Sequence, residues 1–99
     1  MKRKKTDKYT KSARDKECQV RLPGVCNFND STTIFAHLPG SGLGTKHQNI
    51  HGSYCCSSCH DVLDGREKTK LGESYLKLSH YDGMLRTQIL MIEDGVLKL

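Results

Sequence analysis

The segment Cys56-Ser57-Ser58-Cys59-His60 is a Cys-x-x-Cys knuckle with a histidine fused to its end. A second cysteine pair, Cys18 and Cys26, lies upstream, and His37 falls between the two pairs. Two thiolate pairs complete a tetrahedral shell for Zn²⁺, with Zn–S distances near ~2.3 Å. The two-residue gap lets Cys56 and Cys59 point inward from one tight turn. The longer gap between Cys18 and Cys26 suits a loop that folds back through Pro23-Gly24. A shell filled by Cys18, Cys26, Cys56 and Cys59 leaves no open position, so such a site is structural rather than catalytic. Cys55 is the spare. Using it in place of Cys56 would stretch the knuckle to x-x-x, and its side chain is expected to point elsewhere.

His60 has a different geometry available to it. Once a helix has begun at the knuckle, neighbouring side chains diverge by about 100°, so His60 projects away from the metal that Cys59 binds. Asp64 lies one turn further on the same face. Imidazole and carboxylate together could hold a divalent cation; the same spacing equally makes a surface histidine with a carboxylate partner. Asp61 points away and reads as a first-turn helix charge. Gly40-Ser41-Gly42-Leu43-Gly44-Thr45-Lys46 superficially suggests a phosphate loop, but Thr45 separates the glycine from the lysine and the motif fails.

The elements that must position these groups follow from pattern. Tyr9 to Glu17 predicts a short helix. Cys18 to Leu22 alternates like a strand and Thr32 to His37 is β-branched and aromatic, so the two are expected to pair as a hairpin. Pro39 to Gly52 reads as a long loop. Cys56 to Arg66 predicts a helix, and a longer one is expected from about Gly72 to Glu93. Its apolar stripe, Tyr75, Leu78, Tyr81, Leu85, Ile89 and Ile92, recurs at spacings of three and four and is the face expected to meet the core. Asp94-Gly95 ends that helix, and Val96 to Leu99 reads as a short edge strand.

Composition explains why a staple is needed. The chain has 99 residues, 35% of them hydrophobic, with nine glycines and no tryptophan, so one thin core is all it can build. Five cysteines do not close into a disulfide set. The start, Met1-Lys2-Arg3-Lys4-Lys5, leads into more charge rather than an apolar stretch, and no apolar run approaches the ~18 residues of a membrane span. A cytoplasmic setting with reduced thiols and no membrane association is therefore expected. The net charge of +5 is uneven: residues 1–16 carry eight basic against two acidic side chains, and the remaining residues eight against nine. Residues 1–16 therefore read as a flexible basic arm and 17–99 as a single domain. Such an arm suits a polyanion such as nucleic acid, or equally serves as a solvated tail.

The order of these pieces carries a resemblance. A cysteine pair, a strand ending in Ala36-His37-Leu38-Pro39, a polar loop and a Cys-x-x-Cys-His helix start occur in the order of the HNH, or ββα-metal, endonucleases with a zinc-stapled core. More closely, the chain resembles the small lambdoid-prophage family of nuclease-like proteins typified by YbcO, through Glu17-Cys18-Gln19-Val20-Arg21-Leu22-Pro23-Gly24-Val25-Cys26, Ala36-His37, Gly44-Thr45-Lys46, Cys56-Ser57-Ser58-Cys59-His60-Asp61 and Gly83-Met84-Leu85-Arg86-Thr87-Gln88. The resemblance covers roughly residues 10–98. It implies an α+β fold: a small zinc-stapled HNH-like ββα core with an added C-terminal helix and a basic N-terminal arm. It further implies a metal-dependent DNA endonuclease of phage recombination or DNA processing, working alone, as a homodimer or with a phage or host recombination protein. His37 matches the general base and His60 the ligand of the catalytic metal, with Asp64 beside it and Mg²⁺ or Mn²⁺ as the cation. Asn49 matches the middle residue, with His51 its rival. One departure stands out. Many HNH sites carry Asp before the first histidine, where this chain has Ala36, which leaves open a non-catalytic zinc module that binds DNA through a degenerate HNH core.

Overall fold

The computed structural model describes residues 8–38 and 50–98. In chain order it contains α1 (Lys8–Ser12), a 3₁₀ turn (Asp30–Thr32), β1 (Ile34–His37), β2 (Gly52–Cys55), α2 (Ser57–Leu63) and α3 (Glu73–Glu93). β1 and β2 pair antiparallel with Phe35 opposite Tyr54 and His37 opposite Gly52. α3 lies across this sheet. The fold is a small α+β unit in which two strands and a helix, β1-β2-α2, form the centre.

The expected hairpin partner is corrected by the structure. Cys18–Leu22 is not a strand, and β1 pairs instead with Gly52–Cys55. The reason is local. Arg21 takes a left-handed backbone with φ 49°, and its N–H and that of Leu22 donate to the sulfurs of Cys18 and Cys59, each at 3.4 Å. Amides committed to sulfur cannot join a ladder. The Gln19 N–H still donates to the Tyr54 carbonyl at 2.7 Å, which holds this turn against β2.

α3 corrects a second expectation. Its stripe of Tyr75, Leu78, Tyr81, Leu85, Ile89 and Ile92 faces outward, each residue 38–61% exposed. The buried face is the opposite one: His80, Gly83, Thr87 and Met91. At Gly83 the helix sits too close to its neighbours for a side chain. A Cβ on Gly83 would lie 3.1 Å from Val20 Cγ2 and 3.2 Å from the Gln19 carbonyl oxygen. Thr87, fully buried, accepts the Tyr54 N–H on its Oγ1 at 2.9 Å. Gln88 donates to the Ile50 carbonyl at 3.0 Å. Polar pegs, more than apolar area, fix α3 on β2.

The core has two parts. Cys18, Val20, Leu22, Ala36, Cys55, Cys56, Cys59 and Val62 form one cluster; Ala13, Phe35, Tyr54 and Met91 form the other. Of the basic segment, residues 8–16 are described: Ala13 is buried in the second cluster and Ser12 Oγ lies 2.9 Å from Tyr54 Oη. The expected edge strand at the C-terminus is a turn. Gly95, at φ 79°, lets the Val96 and Leu97 amides return to the Met91 carbonyl, and both side chains then pack on the second cluster. Residues 40–46, set aside as a failed phosphate loop, lie outside the described residues.

Thr87→Val keeps shape and removes one acceptor, leaving the buried Tyr54 N–H unpaired. Its unfolding free energy should fall by about 1–3 kcal/mol, read from denaturant midpoints, while Thr87→Ser should retain most of the stability.

Candidate metal centre and adjoining histidine site

Backbone geometry aims four sulfurs at one point. Cys18 enters from the turn before Arg21. Cys26 returns because its N–H and that of Val25 both donate to the Leu22 carbonyl, with Gly24 at φ 72° closing the turn. Cys56 is the N-cap of α2, its sulfur accepting the Cys59 N–H at 3.4 Å. Cys59 follows one turn later. The result is the one group of three or more candidate ligands found among the described residues: Cys18, Cys26, Cys56 and Cys59, with sulfurs all within 4.8 Å of one another. The Cys26 and Cys56 sulfurs are 3.8 Å apart, about the edge of a tetrahedron with ~2.3 Å metal–sulfur bonds. Three N–H···S bonds, from Arg21, Leu22 and Cys59, further suit thiolate ligands. The site fits a tetrahedral metal ion.

The clustered sulfurs perturb one another's titration. Hydrogen bonds from the Cys55 and Cys59 thiols hold Cys18 far below the ordinary thiol range. The same bonds push Cys55 and Cys59 up, and burial pushes Cys26 up to about 11. A dication bound by these sulfurs would displace their protons. Cys55 differs from expectation. Its side chain does not point elsewhere; it is buried in the same cluster as Cys18 and Cys59. The strand-to-helix transition at Cys56 breaks the alternation that would have turned it away, and it borders the cluster without being one of the four.

The loop between the cysteine pairs is stitched to the same helix start. Asn27 Nδ2 donates to Ser57 Oγ and Ser58 Oγ, and the Ser57 N–H donates to Thr32 Oγ1 at 3.2 Å. That continuity leads the chain directly into β1.

His37 stands at the end of β1, its ring edge-on to Phe35 at 5.0 Å between centroids. Beyond it the Leu38 N–H donates to the His51 carbonyl at 2.9 Å, so His51 continues the pairing through its backbone. Asn49 lies outside the described residues. On α2, His60 Nε2 lies 3.3 Å from Asp64 Oδ2. Asp64 has a second partner that the spacing did not foretell: Arg66 donates to the same oxygen at 2.7 Å and also reaches Asp61 at 3.4 Å.

His80 is the residue that sequence reasoning missed. Buried on α3, it donates Nε2–H to the Ala36 carbonyl at 3.0 Å, one residue before His37. Burial drives its pKa down, and the charges of His60 and Asp64 are both felt at its ring. Three elements therefore meet here: the end of β1, the His60–Asp64 face of α2 and His80 of α3. The signal was present as Gly83, three residues from His80 on the same face. A glycine inside a long helix marks close approach.

A two-strand, one-helix centre beside a four-cysteine cluster that could hold a metal ion, with histidines at the strand end and on the helix, defines a small α+β protein. The sequence profile of the family described as "Putative nuclease YbcO" matches residues 7–96, and the chain belongs to that family. Relatives of the same description from Escherichia coli strain K12 and from Enterobacteria phage 82 are each 43% identical over 91 residues, covering 89% of this chain and 94% of theirs. A solved structure described as "a putative bacteriophage protein from Escherichia coli str. K-12 substr. MG1655" superposes with a TM-score of 0.76 at 39% identity, covering 88% of this chain and 99% of the other. Among the described residues no helix is long and apolar enough to cross a membrane.

Two outcomes test the site. Metal analysis should return about one tetrahedrally bound ion per chain; Cys56→Ser and Cys59→Ser should lose it and unfold, while Cys55→Ser should retain it. For His80, the folded state favours the neutral ring, whereas the unfolded ring titrates near 6.5. Below that pH the unfolded chain binds a proton that the folded one refuses, so stability falls as pH drops. Denaturant midpoints between about pH 7.5 and 5.5 should decline less steeply in His80→Gln than in the wild type.

Proposed function

We propose that this chain is a metal-dependent endonuclease that hydrolyses DNA phosphodiester bonds in phage recombination or DNA processing, on an HNH-like ββα core. The observation that carries the reading is the juxtaposition at the end of β1, where His37 follows the residue held by His80, and His60 and Asp64 lie within electrostatic reach of the same ring. Membership of a family described as nucleases supports it.

In this reading Cys18, Cys26, Cys56 and Cys59 hold zinc and serve only to shape the core. His37 acts as general base, taking a proton from the attacking water; histidine suits this because its pKa lies near neutrality. His60 and Asp64 hold the catalytic Mg²⁺ or Mn²⁺. Their donor atoms lie 3.3 Å apart on one helix face. When bound, that ion supplies charge neutralisation at a phosphate oxygen. Asn49, or His51, orients the substrate or the base. The lysines and arginines of residues 1–16 contact phosphates, with affinity falling steeply as salt rises.

A second reading rests on a specific contact. Arg66 holds Asp64 at 2.7 Å, placing a cation where the metal would sit, and position 36 is alanine where an acidic ligand is common in HNH sites. Both features favour a DNA-binding module with a degenerate site.

Nicking of supercoiled plasmid in Mg²⁺ or Mn²⁺ separates the two. The wild type should nick; His37→Ala should lose at least about 100-fold, the usual contribution of a general base, without losing the structural metal. An intact plasmid with a persistent, salt-sensitive mobility shift would instead establish the binding module.

A further inference from the structure

Part of the basic segment is anchored to the body of the protein. Ala13 is buried in the second core cluster, Ser12 Oγ lies 2.9 Å from Tyr54 Oη, and Lys16 reaches Asp94 at 3.7 Å. These anchors hold α1 and the turn after it against the sheet and leave Lys11 and Arg14 exposed. Among the described residues the ion pairs take up Lys16, Arg21, His60 and Arg66, and none takes Lys11 or Arg14.

Lys11 and Arg14 line a cavity of about 260 Å³ between α1 and β1, together with Ser31, Thr33 and Phe35. That is below the ~300 Å³ at which sites for drug-sized ligands begin, so it suits a small group. No carboxylate is among its described lining residues, whereas the cavities against Glu73, Glu17 and Asp61 each carry at least one. Its charge therefore selects an anion. Thr33 is 6% exposed, and its Oγ1 has no hydrogen-bond partner. Phe35 ties this cavity to the candidate site, because its ring meets His37 edge-on at 5.0 Å. Residues 35 and 37 share one face of the strand and stand about 6.6 Å apart, against ~3.4 Å of rise per nucleotide.

We infer that Lys11 and Arg14 form a phosphate site for the DNA backbone, a few nucleotides from the phosphate presented to His37. Arg14 offers a planar fork to two phosphate oxygens and Lys11 a point charge; the hydroxyls of Ser31 and Thr33 are further donors. Such a contact sets the register of the strand without reading its sequence. The link to His37 rests on the nuclease reading. The phosphate site does not, since a DNA-binding module would use it equally.

Fluorescence anisotropy of a labelled DNA duplex with the full, metal-loaded chain, without added Mg²⁺ or Mn²⁺, reads affinity from 50 to 200 mM NaCl with no cleavage intervening. Lys11→Gln/Arg14→Gln should flatten the slope of log K against log salt by about 1–2 and weaken binding at least about 10-fold at 0.1 M. Helicity and metal content should stay as in the wild type, since both positions are exposed. Lys68→Gln/Lys70→Gln, which removes the same charge from the segment between α2 and α3, should change the slope by less than half as much. Thr33→Val should weaken binding while leaving the fold at least as stable, because it removes a buried hydroxyl that has no partner. Equal slopes for the two double variants overturn the phosphate site, whether or not the wild type nicks plasmid. A loss selective for Lys11→Gln/Arg14→Gln in a chain that nicks nothing upholds the site and sinks only the nuclease reading.

Discussion

The fold depends on one constraint: two pieces of chain that share no secondary structure must bring four sulfurs within 4.8 Å. The Cys18–Cys26 loop has no strand or helix of its own. Its turns are shaped by amides that donate to sulfur, and its outer edge is tied to the start of α2 through Asn27 and Thr32. Taking away the point where the sulfurs meet would leave this loop with little reason to fold. β1, reached directly from it, would then lose its approach to β2. In a chain with a core of two small clusters, that is the difference between a fold and a collapsed coil.

α3 plays the complementary part. Its buried face is a glycine, a threonine, a histidine and one methionine. The apolar contribution of that face is small, and specificity comes from hydrogen bonds placed where only one register satisfies them: Thr87 with Tyr54, Gln88 with Ile50, His80 with Ala36. Apart from Met91, the larger apolar residues of the helix lie on the outside.

The same contact links fold to site. By holding the Ala36 carbonyl, His80 fixes the backbone that presents His37, and by its burial it stays neutral beside the His60–Asp64 pair. Arg66 works against that pair by occupying the Asp64 carboxylate. In the proposed reading, the balance between these neighbours would set how strongly His60 and Asp64 hold a cation.

The four cysteines that cluster were legible in the chain because sulfur chemistry and the x-x spacing admit few alternatives; so were the extent of α3, the glycine stop at its end and the turn through Pro23-Gly24. The strand partner of β1 and the buried face of α3 were not. Alternation in Cys18–Leu22 and periodicity in Tyr75–Ile92 describe which residues share a face, and neither says what that face will meet. Local pattern is a property of neighbours in sequence, so the sequence alone determined the four-cysteine set and the helices. Which amides turn to sulfur, which helix face fits against Gln19 and Val20, and where His80 lands depend on distances between segments remote in the chain, and only tertiary packing decided them.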